Sequence, residues 1–210
     1  MIQFSIFGET EDTDCNNTLA PEFHSIVGCL GASSHSLTDR ERNDFYATDP
    51  VAAEWLMKIE KLNHNIWEPS VGAGHLAKVF IAGGHEVKCT DLIDRGFGQG
   101  GVDFLACNDK WQGDIITNPP YNIATEFIYH ALSLVDDGNK VCMFLKVQFL
   151  EGKSRKELFE KFPPRRVWVT SSRINCGRNG NFAGMSTMLA HAWFVWEKGY
   201  QGDTVLKWFN

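Results

Sequence analysis

From about residue 63 onward, short apolar runs alternate with helical segments, and this alternation limits the chain to one kind of layered architecture. "HNIWEP" reads as a strand, "GHLAKVFIAGG" as a helix closed by glycines, "EVKCTDL" as a strand, and "DIITN" as another strand after a glycine-rich loop. Strand-helix-strand units of this kind build a parallel sheet covered by helices on both faces, so the expected fold class is α/β. The second half continues the pattern. Asn122 can cap a helix in which Phe127, Ile128, Ala131, Leu132 and Val135 share one face, and "KVCMFLKVQFL" supplies the most apolar strand. Residues 153–161 read as a basic amphipathic helix stopped by Pro163 and Pro164, "RVWVT" as a strand, and "MLAHAWFVWEKG" as a long last strand. Upstream, Asp49 can cap a helix over about 50–61 with Pro50 at its first position, where the missing N–H has no helical partner to lose.

A chain of 210 residues with 43% hydrophobic content is expected to form one domain with a substantial core. Residues 1–43 are polar, aperiodic and rich in Ser, Asn, Thr and Asp, and read as a weakly ordered arm ahead of a domain over 44–210. No apolar run approaches the length of a membrane span, and the opening has neither a basic start nor a sustained apolar stretch, so a cytosolic protein is expected. The six cysteines (15, 29, 89, 107, 142 and 176) and seven histidines are dispersed, which indicates neither a disulfide framework nor a metal site. Seven tryptophans are numerous for this length, and the alternating "HAWFVW" fits either sheet core or an association surface.

Two corners carry the chemistry. In "WEPSVGAGHLA", Glu68 and Pro69 end a strand, and Gly72 and Gly74 lie in the turn that opens a helix. Open α/β sheets bind ligands at the carboxyl ends of their strands, and glycines let a ligand approach the backbone, so a nucleoside-type cofactor is expected. "GAGHLA" also fits a dinucleotide fingerprint, with Asp91 at the end of the next strand as a ribose partner. A carboxylate at Glu68 repels a diphosphate and favours a ligand carrying positive charge. S-adenosylmethionine, with an amine, a sulfonium and no phosphate, meets that requirement.

The second corner is "DIITNPPYN". Pro119 and Pro120 each fix a backbone dihedral, Asn118 is pushed out of the helical region by the proline after it, and the missing N–H groups leave local carbonyls to point elsewhere. The expected result is a stiff, acceptor-rich edge at a strand end, with Tyr121 offering an aromatic face. A planar exocyclic amine suits that edge, one hydrogen going to the Asn118 side-chain oxygen and the other to the Pro119 carbonyl. Such an amine is a poor nucleophile that gains positive charge as it attacks a methyl group, and fixed acceptors stabilise that charge more in the transition state than before it.

The succession "YATDP", "EPSVGAGHL", "TDL", "GVDFL", "NPPY" resembles that of amino-methyltransferases, particularly adenine-N6 DNA methyltransferases, and the chain from about 36 to 210 resembles small methylases carried by phages and mobile elements. The resemblance implies a Rossmann-like class I methyltransferase fold, with a seven-stranded, mostly parallel sheet whose last strand is antiparallel. It also implies roles. Tyr46 and Thr48 would lie beside the methionine end of S-adenosylmethionine, Gly72 and Gly74 in the cofactor loop, Asp91 on the ribose hydroxyls, and Asp103 and Phe104 around the cofactor adenine. Glu68, Pro69 and Leu92 complete the cofactor set, and Asn118, Pro119, Pro120 and Tyr121 would hold the target amine, with Asn118 also touching the cofactor. The chain departs from larger adenine methylases in lacking a separate target-recognition domain.

Net charge is −6, yet residues 140–178 hold ten Lys or Arg against three Glu, a balance of +7 that leaves −13 on the rest. Lys153, Arg155, Lys156, Arg165, Arg166, Arg173 and Arg178 are therefore expected to form a phosphate track for DNA. A duplex target would have to be flipped out, with Phe149 or Phe182 as candidates to stack on the extruded base. RNA adenine and protein glutamine are competing substrates, since each offers a similar planar nitrogen. An NAD-dependent oxidoreductase, resting on "GAGHLA" and Asp91 alone, is the more remote alternative.

Overall fold

A computed structural model describes residues 47–172, 174, 176–177 and 189–209. The expected arm over 1–43, together with Tyr46, Arg173, Arg178 and Phe182, lies outside them.

The sheet starts with β2 (Asn65–Glu68), β3 (Glu86–Cys89), β4 (Asp114–Thr117) and β5 (Lys140–Lys146), followed by β6 (Arg166–Thr170), β8 (His191–Glu197) and β9 (Val205–Phe209). Their spatial order is β3-β2-β4-β5-β8-β6-β9. All pairs are parallel except those of β8, which runs antiparallel to both β5 and β6. A two-residue ladder joins β1 (Ala47–Thr48) to β7 (Cys176–Gly177), antiparallel. The helices are α1 (Val51–Ile59), α2 (His75–Ala82), α3 (Ala124–Leu134) and α4 (Lys156–Lys161).

Residue parity along the strands divides the core in two. Ile115, Val141, Met143, Leu145, Val167, Phe194 and Trp196 pack with α3 and α4 on one face. Ile66, Ile116, Cys142, Phe144, Trp193 and Val195 pack with α1 and α2 on the other. Since successive side chains of a strand point to opposite faces, a strand covered on both sides must be apolar at every position, which is why "CMFL" and "AWFVW" read as unbroken runs. "HAWFVW" is thus sheet core. The indole N–H of Trp193 donates to the Ala52 carbonyl at 2.9 Å and that of Trp196 to the Phe162 carbonyl at 2.9 Å, so neither buried donor is stranded.

Several local expectations are met and some are corrected. The Asp49 side chain accepts from the Val51 N–H at 3.0 Å and Pro50 has helical dihedrals, as expected at the start of α1. Asn122 does not cap α3: the chain enters that helix through a 3-10 turn over Tyr121–Ile123, so Asn122 lies inside the turn. The strand expected to be last is the antiparallel one, and β9 follows it as a further strand parallel to β6. Four of its five residues are exposed, so burial leaves no periodic trace in its sequence. Among the described residues no helix is long and apolar enough to cross a membrane.

Candidate active site

The glycine corner is a hydrogen-bonded turn between β2 and α2. Val71 N–H donates to the Thr90 carbonyl and Gly74 N–H to the Val71 carbonyl. Gly74, at φ 80°, takes the left-handed conformation that side chains disfavour. The Asp91 carboxylate accepts from Gly72 N–H at 2.8 Å and from Ile93 N–H at 2.9 Å, which ties the end of β3 to the turn. A Cβ at Gly74 would fall 2.5 Å from the Phe97 ring, so this glycine makes room for an aromatic side chain of the following loop. Lys78 Nζ lies 4.9 Å from the centroid of that ring.

Glu68 lies beneath the turn with 2% of its surface exposed. Burial pushes its carboxyl well above the usual carboxylate range, a backbone hydrogen bond with Ala77 acts the other way, and the charge of Asp91 raises it further. Its Oε2 has no hydrogen-bond partner among the described residues. A buried acceptor in that position fits a ligand with a cationic donor and does not fit a diphosphate.

Next to this turn, at the carboxyl ends of β2, β3 and β4, opens a cleft of roughly 880 Å³ including its mouth. Its walls bring together Pro69, Asp91 and Leu92 from the glycine side, Asp103 and Phe104 from the loop before β4, and Asn118, Pro119, Pro120 and Tyr121 from the proline corner. The Asp103 side chain accepts from Leu105 N–H at 3.0 Å and so caps the 3-10 turn that carries Phe104. Phe104 is packed edge-on against Trp67 and His130.

Thr48, 3% exposed, stands behind Asn118, whose Nδ2 donates to Thr48 Oγ1 at 2.8 Å. Tyr121 is held from two other sides. Its hydroxyl lies 3.3 Å from His191 Nε2, and Lys146 Nζ sits 4.6 Å from its ring centroid. His191 in turn stacks on Phe144 at 5.3 Å. Burial pushes the His191 imidazole down to about 4, with the charge of Lys146 acting in the same direction against a hydrogen bond with the Leu189 backbone, so the ring is neutral at pH 7. Lys146 and His191 were not foreseen as site residues. They are 45 positions apart in sequence and meet because they face each other in the β5–β8 register.

Among the described residues the basic side chains expected to form a phosphate track are divided between ion pairs, turn closure and exposed positions, and Arg173 and Arg178 lie outside those residues. Arg165 pairs with Glu197, and Arg166 makes a two-pronged ion pair with buried Glu60, which also accepts from Trp168 Nε1 at 2.8 Å. Both arginines sit at the amino end of β6, away from the cleft, because the strand ends that carry the cleft are the carboxyl ends. Arg155 donates to the carbonyls of Gln148, Phe149 and Glu151, closing the turn after β5. Phe149 packs edge-on against Phe159 and Phe194 and anchors that turn instead of standing ready for a base. Lys153 and Lys156 are exposed, Lys156 within 3.5 Å of Glu160.

No family model matches the chain, and no curated protein is significantly similar to it. Solved structures do match. An RNA methyltransferase assignment from Pyrococcus horikoshii superposes with a TM-score of 0.54 at 15% identity, covering 74% of this chain and 88% of its own. A protein from Listeria monocytogenes assigned as a class I S-adenosylmethionine-dependent methyltransferase gives 0.53 at 14% identity, covering 76% and 63%. The assigned modification subunit of a type I restriction enzyme from Vibrio vulnificus gives 0.52 at 13% identity, covering 87% of this chain and 48% of that one. The chain therefore spans less than two thirds of the second and third of these proteins. The antiparallel β8 inside the sheet sets this strand order apart from the mostly parallel dinucleotide-binding order. With its mixed seven-stranded sheet, helices on both faces and cleft at the strand ends, the chain has the Rossmann-like fold of class I methyltransferases.

Proposed function

We propose that the protein transfers a methyl group from S-adenosylmethionine to the exocyclic N6 amine of adenine in DNA. The observation that carries the reading is that one cleft joins the glycine-turn side, with Asp91 and Leu92, to the Asn118–Pro119–Pro120–Tyr121 edge. Asp91 accepts the ribose hydroxyls through lone pairs its two backbone partners leave over, and Leu92, 55% exposed at the mouth, covers the cofactor adenine with Phe104. Glu68 does not itself line the cleft, and its buried, unpartnered Oε2 would favour the cationic end of the cofactor from behind the wall. The bound sulfonium supplies an electrophilic methyl carbon and leaves as a neutral thioether.

The chain's own residues act on the amine. Asn118 and the Pro119 carbonyl accept its two hydrogens and stabilise the positive charge that grows on nitrogen as the N–C bond forms and the C–S bond breaks. The ammonium then loses a proton to solvent, so no strong base is needed, and neutral His191 is placed to orient Tyr121 and not to act as one. Tyr121 provides the stacking face for the flipped base.

Support for DNA comes from the likeness to the assigned restriction-modification subunit, and the likeness to the assigned RNA methyltransferase keeps RNA adenine as the second reading. Incubating the protein with radiolabelled methyl donor and separate samples of duplex DNA, single-stranded DNA, RNA and cell protein decides between them. Label recovered as N6-methyldeoxyadenosine, and lost in Asn118→Ala, supports the reading. Label in RNA or protein alone replaces the substrate, and no loss in Asn118→Ala removes the acceptor edge from the reaction.

A further inference from the structure

An asparagine amide is useful as an acceptor only while its oxygen, not its NH2 end, faces the substrate. The two ends are nearly the same size, so sterics alone do not choose between them. In this structure the choice is made from behind. Asn118 Nδ2 donates to Thr48 Oγ1 at 2.8 Å, and the planarity of the amide then turns Oδ1 away from Thr48. The anchor is buried and paired through its backbone: Thr48 is 3% exposed, and its main chain is in register with Cys176 in the β1–β7 ladder. Pro119 adds a second restraint by limiting the Asn118 backbone.

We propose that Thr48 is a positioning residue that acts through Asn118, holding the carboxamide with its oxygen towards the target amine. The inference rests on the methyl-transfer reading and adds a requirement that reading lacks: a hydroxyl supplied from outside the proline corner, by the segment that precedes α1. Without the hydroxyl the amide loses the bond that sets its orientation, and turning its NH2 towards the substrate NH2 would set two donors face to face with no bond formed. The loss falls on the chemical step, because the amine gains charge there.

The test compares Thr48→Val, which keeps the shape and removes the hydroxyl, with Thr48→Ser, which restores it, and with Thr48→Ala should the valine variant fail to fold. Thr48→Val is expected to lower kcat by about 10- to 100-fold, less than the about 100- to 1,000-fold of deleting a charge-stabilising group outright, because Asn118 itself is kept. Thr48→Ser should recover most of the rate. The double variant Thr48→Val with Asn118→Ala should be no slower than Asn118→Ala alone, because one route has been cut twice. A multiplicative loss, or a fall in donor affinity that accounts for the whole effect, would overturn the inference and give Thr48 a separate role. Side-chain amide exchange provides a readout that needs no activity. The Asn118 Nδ2 protons should be protected in the wild type and in Thr48→Ser and exposed in Thr48→Val, and equal protection in all three refutes the inference even if Asn118→Ala proves fully active.

Discussion

Replacing Gly74 by alanine tests the most crowded point of the glycine turn. A Cβ there falls 2.5, 2.6 and 2.7 Å from Cδ1, Cε1 and Cγ of Phe97. That is about 1 Å inside the ~3.5–4.0 Å of ordinary carbon contact. Overpacking of this kind costs about 1–3 kcal/mol. The left-handed backbone at φ 80° adds about 1–2 kcal/mol for a residue with a Cβ, from which the lost freedom of the unfolded glycine subtracts up to about 1 kcal/mol. Gly74→Ala should therefore destabilise the protein by about 1–5 kcal/mol. In a Phe97→Ala background the overlap is gone and only the backbone part, about 0–2 kcal/mol, should remain. The four proteins of the cycle are compared by urea unfolding followed by far-UV circular dichroism. With a slope of about 2 kcal/mol per molar, a coupling of about 2 kcal/mol moves the midpoint by about 1 M. Equal losses in the two backgrounds, within about 0.5 kcal/mol, would refute the placement of Phe97 against the turn.

Four further outcomes follow from the titratable and charged side chains. His191 is held down to about 4 in the fold against an ordinary value near 6.5, so the unfolded chain binds a proton that the folded one refuses. Stability should fall as pH drops from about 6.5 towards 4, by on the order of 3 kcal/mol; His191→Gln should flatten that slope in urea titrations, and an unchanged slope would contradict the neutral ring. Glu68 is raised, so its burial detracts from stability as pH climbs above the ordinary carboxylate range. Glu68→Gln should stabilise the ligand-free protein at pH 7.5, lose that advantage near pH 4, and weaken S-adenosylmethionine binding roughly tenfold by calorimetry. Removing Arg166 leaves Glu60 buried without its main partner, so Arg166→Ala should cost about 3–5 kcal/mol in the same unfolding assay. If DNA is the substrate as proposed, Arg165→Ala, which breaks only a partly exposed pair, should leave the salt dependence of its affinity unchanged, whereas Lys153→Ala should reduce the slope by up to about one.

Much of the architecture is legible because each central strand is buried on both faces and so becomes a continuous apolar run, as in "DIIT" and "CMFL". The glycine turn and proline corner are legible because their residues have few conformational alternatives. The long-range pairings are not. Nothing local distinguishes Arg166, which neutralises Glu60 at the far end of the sheet, from a lysine or arginine that meets phosphate. Nothing local joins Lys146 to His191, or Thr48 to Asn118 across 70 positions, because those contacts are produced by strand register and by the β1–β7 ladder. β9 escaped for the opposite reason: as a mostly exposed edge strand it has no burial pattern to read.

The Asn118–Pro119 edge is proposed to grip a flat amine while the methyl donor points at it. A crystal structure with a donor analogue and an adenine-bearing oligonucleotide measures this directly. The amine nitrogen should lie within hydrogen-bond distance of Asn118 Oδ1 and the Pro119 carbonyl, with the transferable carbon about 3–3.5 Å from that nitrogen on the side opposite the sulfur. A donor seated with its methyl group turned away from Asn118, or a base held elsewhere in the cleft, would contradict it.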